Sequence, residues 1–187
     1  MNVYDFDKTI YSGDSTKDFC RFCMQRHFPA AWQMFLSSPA IIGFMIGKLS
    51  KTETKQKLFS FLNRLSDVDT DVFDFWKQNE HRISSWYYEK HRSDDVVISA
   101  SPEFLLKPIC NRLGIGTVIA SAVDKKTGVY DGLNCHGEEK LKRYRQVFGD
   151  RGIFEFYSDS LSDAPLAEIA QSAFLVRKNR IIPWIME

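Results

Sequence analysis

The chain has 187 residues, 44% of them hydrophobic, and its 25 basic and 24 acidic side chains leave a net charge of +1. That length supports one substantial core and a modest second unit, and a nearly neutral chain with no basic patch is not built to hold nucleic acid. Asp5 and Asp7 fall where the apolar centre of a cleavable leader would lie, and Cys20, Cys23, Cys110 and Cys135 follow no secreted disulfide pattern, so the expected compartment is the cytoplasm.

The first element is a strand running into Asp5-Phe6-Asp7-Lys8-Thr9. In extended backbone residues i and i+2 point the same way, so Asp5 and Asp7 project together where the strand meets its loop. Open α/β sheets place their ligands at such carboxyl-terminal strand ends. An exposed Asp-rich turn is the plain alternative for this motif taken alone.

A turn leads to a helix predicted over 16–27, with Asp14 or Ser15 as its cap. Cys20, Cys23 and His27 share a face of it, but without a second pair they read as packing and not as metal ligands. Residues 28–47 carry no charge. Pro29, Gln33, Ser37, Ser38 and Pro39 cut this run into pieces shorter than the ~20 residues that span a hydrocarbon core. Two short helices hinged near Pro39 are expected, packed mainly inside the unit, with a substrate- or lipid-facing surface as the alternative. Helices over 51–65 and 72–90 follow, with Phe59, Leu62 and Leu65, then Phe73, Trp76 and Ile83, at helical spacing. Lys51, Lys55 and Lys57 read as a solvated face.

Strand patterning resumes at Val96-Val97-Ile98 and ends in Ser99-Ala100-Ser101-Pro102. Pro102 suits the first helical position with Ser101 as its cap, closing at Leu113-Gly114. Ser99 is then left free beside a helix N-terminus, where anions are favoured. A strand over 117–121, a hairpin or flap reaching Tyr130, and a helix over 137–148 come next. Lys140 opposes the dipole of that helix from its first turn, which suggests a local anion. A strand over 153–157 runs into Ser158-Asp159-Ser160-Leu161-Ser162-Asp163. A helix to Ala170, a strand over 173–176 and an apolar tail over 181–184 complete an α/β alternation, which predicts a mainly parallel sheet between layers of helix.

Strand ends and adjacent turns thus carry Asp5 and Asp7, Ser99, Lys140, and Asp159 with Asp163. In this order and on these elements, the motifs resemble those of the haloacid dehalogenase-like (HAD) hydrolases. The helical stretch is similar to the cap of their phosphoserine-phosphatase-like branch, subfamily IB. The resemblance implies a Rossmann-like three-layer core over 1–13 and 92–187 with an inserted all-α cap over 14–91. It also implies a phosphomonoesterase in which Asp5 attacks phosphorus, Asp7 serves as acid and then base, Ser99 and Lys140 hold phosphate oxygens, and Thr9 shapes the loop. An acid at Asp7 favours phosphate esters, because dehalogenating members lack it.

Carboxylates gathered at one point raise one another's pKa unless a cation joins them, and Mg²⁺ is the hard ion that oxygen donors suit. Asp5 and Asp159 are the expected direct ligands. The resemblance adds the backbone carbonyl of Asp7, and Asp163 is expected to act directly or through a neighbouring ligand. Two departures stand out: Lys8 where the family often has Gly, and Ser99-Ala100-Ser101 where phosphoserine phosphatases usually have Ser-Gly-Gly. Asp14 matches the acidic position those enzymes turn toward substrate. Ser-Ala-Ser-Pro and the apolar cap look at least as much like the phosphatidylglycerophosphatase branch. The expected substrate is a small-molecule phosphate ester with an apolar or lipid-like leaving group selected by residues 28–47, with membrane contact short of spanning left open. Phosphoserine is the alternative substrate, and a non-catalytic phosphate-binding scaffold the alternative of another class, which the presence of both Asp5 and Asp7 disfavours.

Overall fold

The computed structural model describes residues 1–185. Strand β1 (Asn2–Tyr4) is followed by helices α1 (Ser15–Arg26), α2 (Phe28–Ser37), α3 (Pro39–Met45), α4 (Lys51–Phe59), α5 (Val68–Asn79) and α6 (Ser85–Lys90). The chain then alternates through β2 (Val96–Pro102), α7 (Glu103–Arg112), β3 (Thr117–Ser121), α8 (Glu138–Phe148), β4 (Ile153–Ser158), α9 (Ala164–Ala167), β5 (Ala170–Arg177) and β6 (Arg180–Pro183). The strands form one sheet in the order β3-β2-β1-β4-β5-β6. It is parallel from β3 to β5, and β6 runs antiparallel to β5. Connections from β1 step outward to β2 and β3, then cross back to β4 on the other side. The strand order therefore switches at β1, and in such sheets the crevice beyond the switch point takes the ligand.

Alternate strand residues face opposite layers. Val3, Val96, Ile98 and Phe156 pack with Tyr144 of α8 and Leu166 of α9. Tyr4, Val97 and Tyr157 pack with Leu105, Leu106 and Ile109 of α7 and, in the same cluster, with Trp76 and Tyr87 of the helical insertion. The Trp76 indole N–H donates to the Leu105 carbonyl at 2.7 Å, which ties α5 to α7.

The insertion leaves and rejoins the core through one neck. Ser84 N–H donates to the Ile10 carbonyl at 2.8 Å, Ser12 N–H to the Arg82 carbonyl at 3.0 Å, and Tyr11 bridges Ile83. Gly128, in the loop after β3, has φ +77°, and a Cβ there would lie 2.3 Å from the Phe59 carbonyl, so only glycine lets that loop meet the end of α4.

Several expectations change. The helix expected over 51–65 ends at Phe59 and passes into a 3-10 turn, Ser60–Arg64, and the one expected over 72–90 is two helices, α5 and α6, broken over 80–84. The first of these begins at Val68, because Asp67 accepts from the N–H groups of Asp69 and Thr70. In it Phe73 is exposed, while Phe75 and Trp76 are buried. The helix expected to reach Ala170 stops at Ala167, and the apolar tail is strand β6. Lys178 and Asn179, at φ 49° and 63°, make the tight turn that feeds it, and positive φ at both central residues matches hairpin twist. Finally, α2 and α3 do hinge at Pro39 but are not buried inside the unit. They pack through Ala30 and Ala40, leaving Phe28 at 79%, Phe35 at 67% and Met45 at 78% exposure. Among the described residues no helix is long and apolar enough to cross a membrane.

Candidate active site

β1 ends at Tyr4, but Asp5 extends its ladder, donating its N–H to the Tyr157 carbonyl at 2.8 Å. Asp7 sits beyond the strand, in the turn that follows. Lys8 then takes φ 55°, a left-handed conformation that costs a non-glycine residue roughly 1–2 kcal/mol. This accounts for glycine suiting the position. The lysine side chain points largely to solvent, with Nζ 3.9 Å from Asp159 Oδ2. Thr9 is fully buried beneath the loop, where its backbone carbonyl accepts from Ser84 Oγ at 3.3 Å.

Gly137, at φ 59°, opens α8 and sends Lys140 inward, where it is 3% exposed. Its Nζ donates to Asp5 Oδ1 at 2.6 Å and to Asp163 Oδ2 at 2.7 Å. The cation that the helix dipole disfavours is thus paired with two carboxylates. Asp163 Oδ2 also accepts from Ser158 Oγ at 2.7 Å, whereas Asp163 Oδ1 is buried without a partner. Ser99 Oγ accepts from the Ser101 N–H at 3.1 Å.

A cleft of about 190 Å³ brings together Asp5, Asp7, Asp14, Ser99, Lys140, Asp159 and Asp163, and Thr9 alone of the expected residues lies outside its wall. Asp14 also caps α1, accepting from the Lys17 N–H at 3.0 Å. His136, Ser160 and Ser162 line the cleft as well. The two serines stood inside the acidic motif, but nothing in the sequence marked His136.

Burial dominates the charges here. It pushes the Asp5 carboxyl up to about 8, against the pull of Lys140 and with added push from Asp163 and Asp7. Asp7 is also raised by burial, opposed by hydrogen bonds from Ser101 and Ser15. Asp159 is raised by burial and partly relieved by Lys8. Burial favours a neutral Lys140, but Asp5 and Asp163 outweigh it and the ammonium is held more firmly than usual. The charged lysine is the form the geometry supports, because Nζ donates to two carboxylate oxygens at once. Two lysines, Lys140 and the largely solvent-facing Lys8, among five carboxyl groups leave the cleft short of positive charge.

A divalent cation would supply it. Among the described residues no three carboxyl, thiol or imidazole groups form a ready metal cage. Mg²⁺ commonly takes only one or two carboxylates, with waters and a substrate phosphate completing its shell. The hard oxygen donors of Asp5 and Asp159 and the unpartnered Asp163 Oδ1 fit that requirement.

Two side chains depart from their expected places. Ser101 does not cap α7, whose N-cap is Pro102 with no side-chain bond; its hydroxyl instead donates to Asp7 Oδ2 at 2.5 Å. Lys55 is not on a solvated face: its Nζ donates to the Ala100 carbonyl at 3.0 Å and to Asn134 Oδ1 at 2.8 Å, linking α4 to the core beside the cleft. Lys57 is exposed as expected, and the side chain of Lys51 lies outside what the structure describes.

The family model for haloacid dehalogenase-like hydrolases matches residues 3–168. The chain is 26% identical over 185 residues to protein CicA of Caulobacter vibrioides, covering 90% of this chain and 82% of that one. It is 33% identical over 94 residues to a probable phosphatase of Mycobacterium tuberculosis, covering 46% of this chain and 33% of that one. In fold it is similar to a protein of unknown function from Bordetella pertussis Tohama I, with a TM-score of 0.77, 20% identity and coverage of 92% and 87%. A phosphoserine phosphohydrolase-like protein from Francisella tularensis gives a TM-score of 0.57 at 16% identity, with coverage of 92% and 86%.

Proposed function

The chain belongs to the haloacid dehalogenase-like hydrolase family, and on that premise we propose that it hydrolyses phosphate monoesters through an aspartyl-phosphate formed on Asp5. The observation that supports this most is the Lys140 ammonium held between Asp5 Oδ1 and Asp163 Oδ2. It fixes the Asp5 carboxylate and leaves Oδ2 as the attacking atom.

Asp5 Oδ2 bonds to phosphorus while the phosphorus–ester oxygen bond breaks, and Asp7 gives its proton to the departing alkoxide. Its burial-raised pKa supports Asp7 as the proton carrier. Asp7, now ionised, takes a proton from water; that water attacks phosphorus, the bond to Asp5 breaks, and inorganic phosphate leaves. Ser99 and Lys140 meet the phosphoryl oxygens as charge builds on them. Asp5, Asp159, the Asp7 carbonyl and Asp163 would hold Mg²⁺, whose chemistry is to offset the negative charge of the phosphoryl group.

Residues 14–91 act as a cap that selects the leaving group, since the core groups handle only phosphate. The uncharged run over 28–47 and its exposed side chains favour an apolar or lipid-like alcohol and contact with a membrane surface. Asp14 in the cleft wall is the observation that favours phosphoserine instead. The free thiols of Cys20, Cys23, Cys110 and Cys135 support a cytoplasmic setting.

The test is Asp5→Asn together with beryllofluoride trapping. The variant is expected to fold and to lose turnover by ~10⁴ or more, the scale on which removal of one member of a catalytic set falls. The adduct is expected on Asp5, and chelation should stop the wild type. An adduct on another residue, or turnover unaffected by a chelator, would overturn the corresponding part.

A further inference from the structure

We propose that Ser101 is a positioning residue for Asp7, gripping the carboxyl group from the side away from the cleft so that it is aimed at the leaving oxygen; this rests on Asp7 being the acid. Asp7 lines the cleft, whereas Ser15 and Ser101 do not and are 0% and 2% exposed.

The hydrogen bonds around Ser101 account for its whole capacity. A hydroxyl has one hydrogen and two acceptor lone pairs. Ser101 Oγ lies 2.5 Å from Asp7 Oδ2, 2.7 Å from Thr16 Oγ1 and 3.3 Å from Ser15 Oγ. With the Asp7 proton turned to the leaving oxygen in the acid, and absent once it has left, Asp7 Oδ2 accepts here in both forms, so the Ser101 hydrogen goes to Asp7 and its lone pairs receive Ser15 and Thr16. The other oxygen, Asp7 Oδ1, accepts from the Ser15 backbone N–H at 2.6 Å. Two donors on the two oxygens fix the plane of the carboxyl group, because turning it would lengthen both bonds.

The grip has two origins. Ser15 and Thr16 begin α1, at the start of the insertion, while Ser101 lies in β2 of the core. Ser101 also gives its backbone N–H to Ser99 Oγ at 3.1 Å, so adjoining atoms steady the acid and the hydroxyl proposed to meet phosphate. The same donors suit the ionised Asp7 that remains once its proton has left, and neither bond has to be remade between the two half-reactions.

A residue that aims the acid matters only where a proton must be delivered. The experiment compares kcat/KM of Ser101→Ala and of Ser101→Gly, both of which keep the backbone N–H, on two esters: a simple alkyl phosphate, whose alkoxide needs the proton, and dinitrophenyl phosphate, whose phenolate leaves without one. kcat/KM covers the steps up to cleavage of the ester, so hydrolysis of the intermediate does not blur the result. Alkyl phosphate is expected to lose at least ~10-fold, part of the ~10²–10⁴ that general acid catalysis contributes, and the dinitrophenyl ester less than ~3-fold. Equal losses on both esters, or none on either, overturn the proposal in whichever variant folds. Asp7→Asn is run on the same pair. If it distinguishes the esters and the Ser101 variants do not, only the proposal for Ser101 fails. If Asp7→Asn treats them alike, the reading of Asp7 as acid has failed and Ser101 falls with it.

Discussion

The cleft at the end of β1 and the outer face of α2 and α3 are opposite solutions to displaying side chains. In the cleft, charged and hydroxyl groups are drawn out of water and bound to one another: Lys140 to two carboxylates, Ser158 to Asp163, Ser101 to Asp7. On α2 and α3, large apolar groups are left in water. Trp32 and Phe35 stack on each other at 5.8 Å, and a shallow groove of about 380 Å³ opens between Phe28, Trp32, Leu36 and Arg64. A buried polar group must find its partner inside the fold or lose several kcal/mol, so the cleft is rigidly specified. An apolar group in water loses little by waiting for a ligand. In the function proposed above, the first region would fix what is done to phosphate, and the second would be free to suit what the phosphate is attached to.

The largest effect that would test this contrast is expected from Lys140→Met. It leaves Asp5 and Asp163 buried without their shared cation, and breaking a buried pair in this way costs about 3–5 kcal/mol. Denaturant titration of the metal-free protein should show that loss, with turnover abolished. A change below about 1 kcal/mol would mean that the cleft is far wetter and less constrained than its bonding pattern indicates.

A second test of the contrast follows from pH. Burial raises Asp5 from its ordinary 3.8 to about 8, so between those values the folded chain holds a proton that the unfolded chain has released. The contribution is full below 3.8 and is lost as pH rises through about 8. The melting temperature of metal-free protein should therefore fall over that window, and Mg²⁺, by stabilising the carboxylate, should flatten the fall. A melting temperature that rose with pH would reverse the assignment.

The smallest stability effect belongs to the outer face. Replacing Trp32 and Phe35 by Ser should move stability by no more than about 0.5 kcal/mol, as for surface sites in general. In activity the same change should cost a short-chain phosphatidylglycerophosphate about tenfold or more in kcat/KM, given ~1.5–3 kcal/mol for each large apolar side chain covered. Phosphoserine should be untouched. Wild-type preference for phosphoserine, or equal loss on both substrates, would remove the lipid-like reading.

The sequence made the cleft more legible than the cap. Asp5, Asp7, Ser99, Lys140, Asp159 and Asp163 each stand at a strand end or helix start that hydrophobic patterning can locate, and parallel-sheet geometry brings such ends together. Lys140 was conspicuous because it opposed a helix dipole. Ser101 reads as a cap from the sequence because a serine before proline at a helix start suits that role; its actual partner, Asp7, is distant in sequence. Lys55 looked solvated for the same reason, since its acceptors, the Ala100 carbonyl and Asn134, belong to the core. Periodicity identified the helices of the insertion, but it could not tell that Ala30 and Ala40 would make the contacts and turn Phe28 and Phe35 outward.

The neck at Ile10–Ser12 and Arg82–Ser84 has a consequence for how such a chain can change over generations. Its two crossings are hydrogen-bonded to each other, so the chain enters and leaves the insertion at one point of the core. Residues beyond that point that touch neither the sheet nor the cleft, such as the outer faces of α2 and α3, can be exchanged without altering the order or register of any strand. Ser15 and Thr16 beside Ser101, Lys55 on the Ala100 carbonyl and Trp76 on the Leu105 carbonyl can change only together with the core they hold. A new outer face can therefore arise alone, whereas a wholly new insertion has to restore the setting of Asp7 as well.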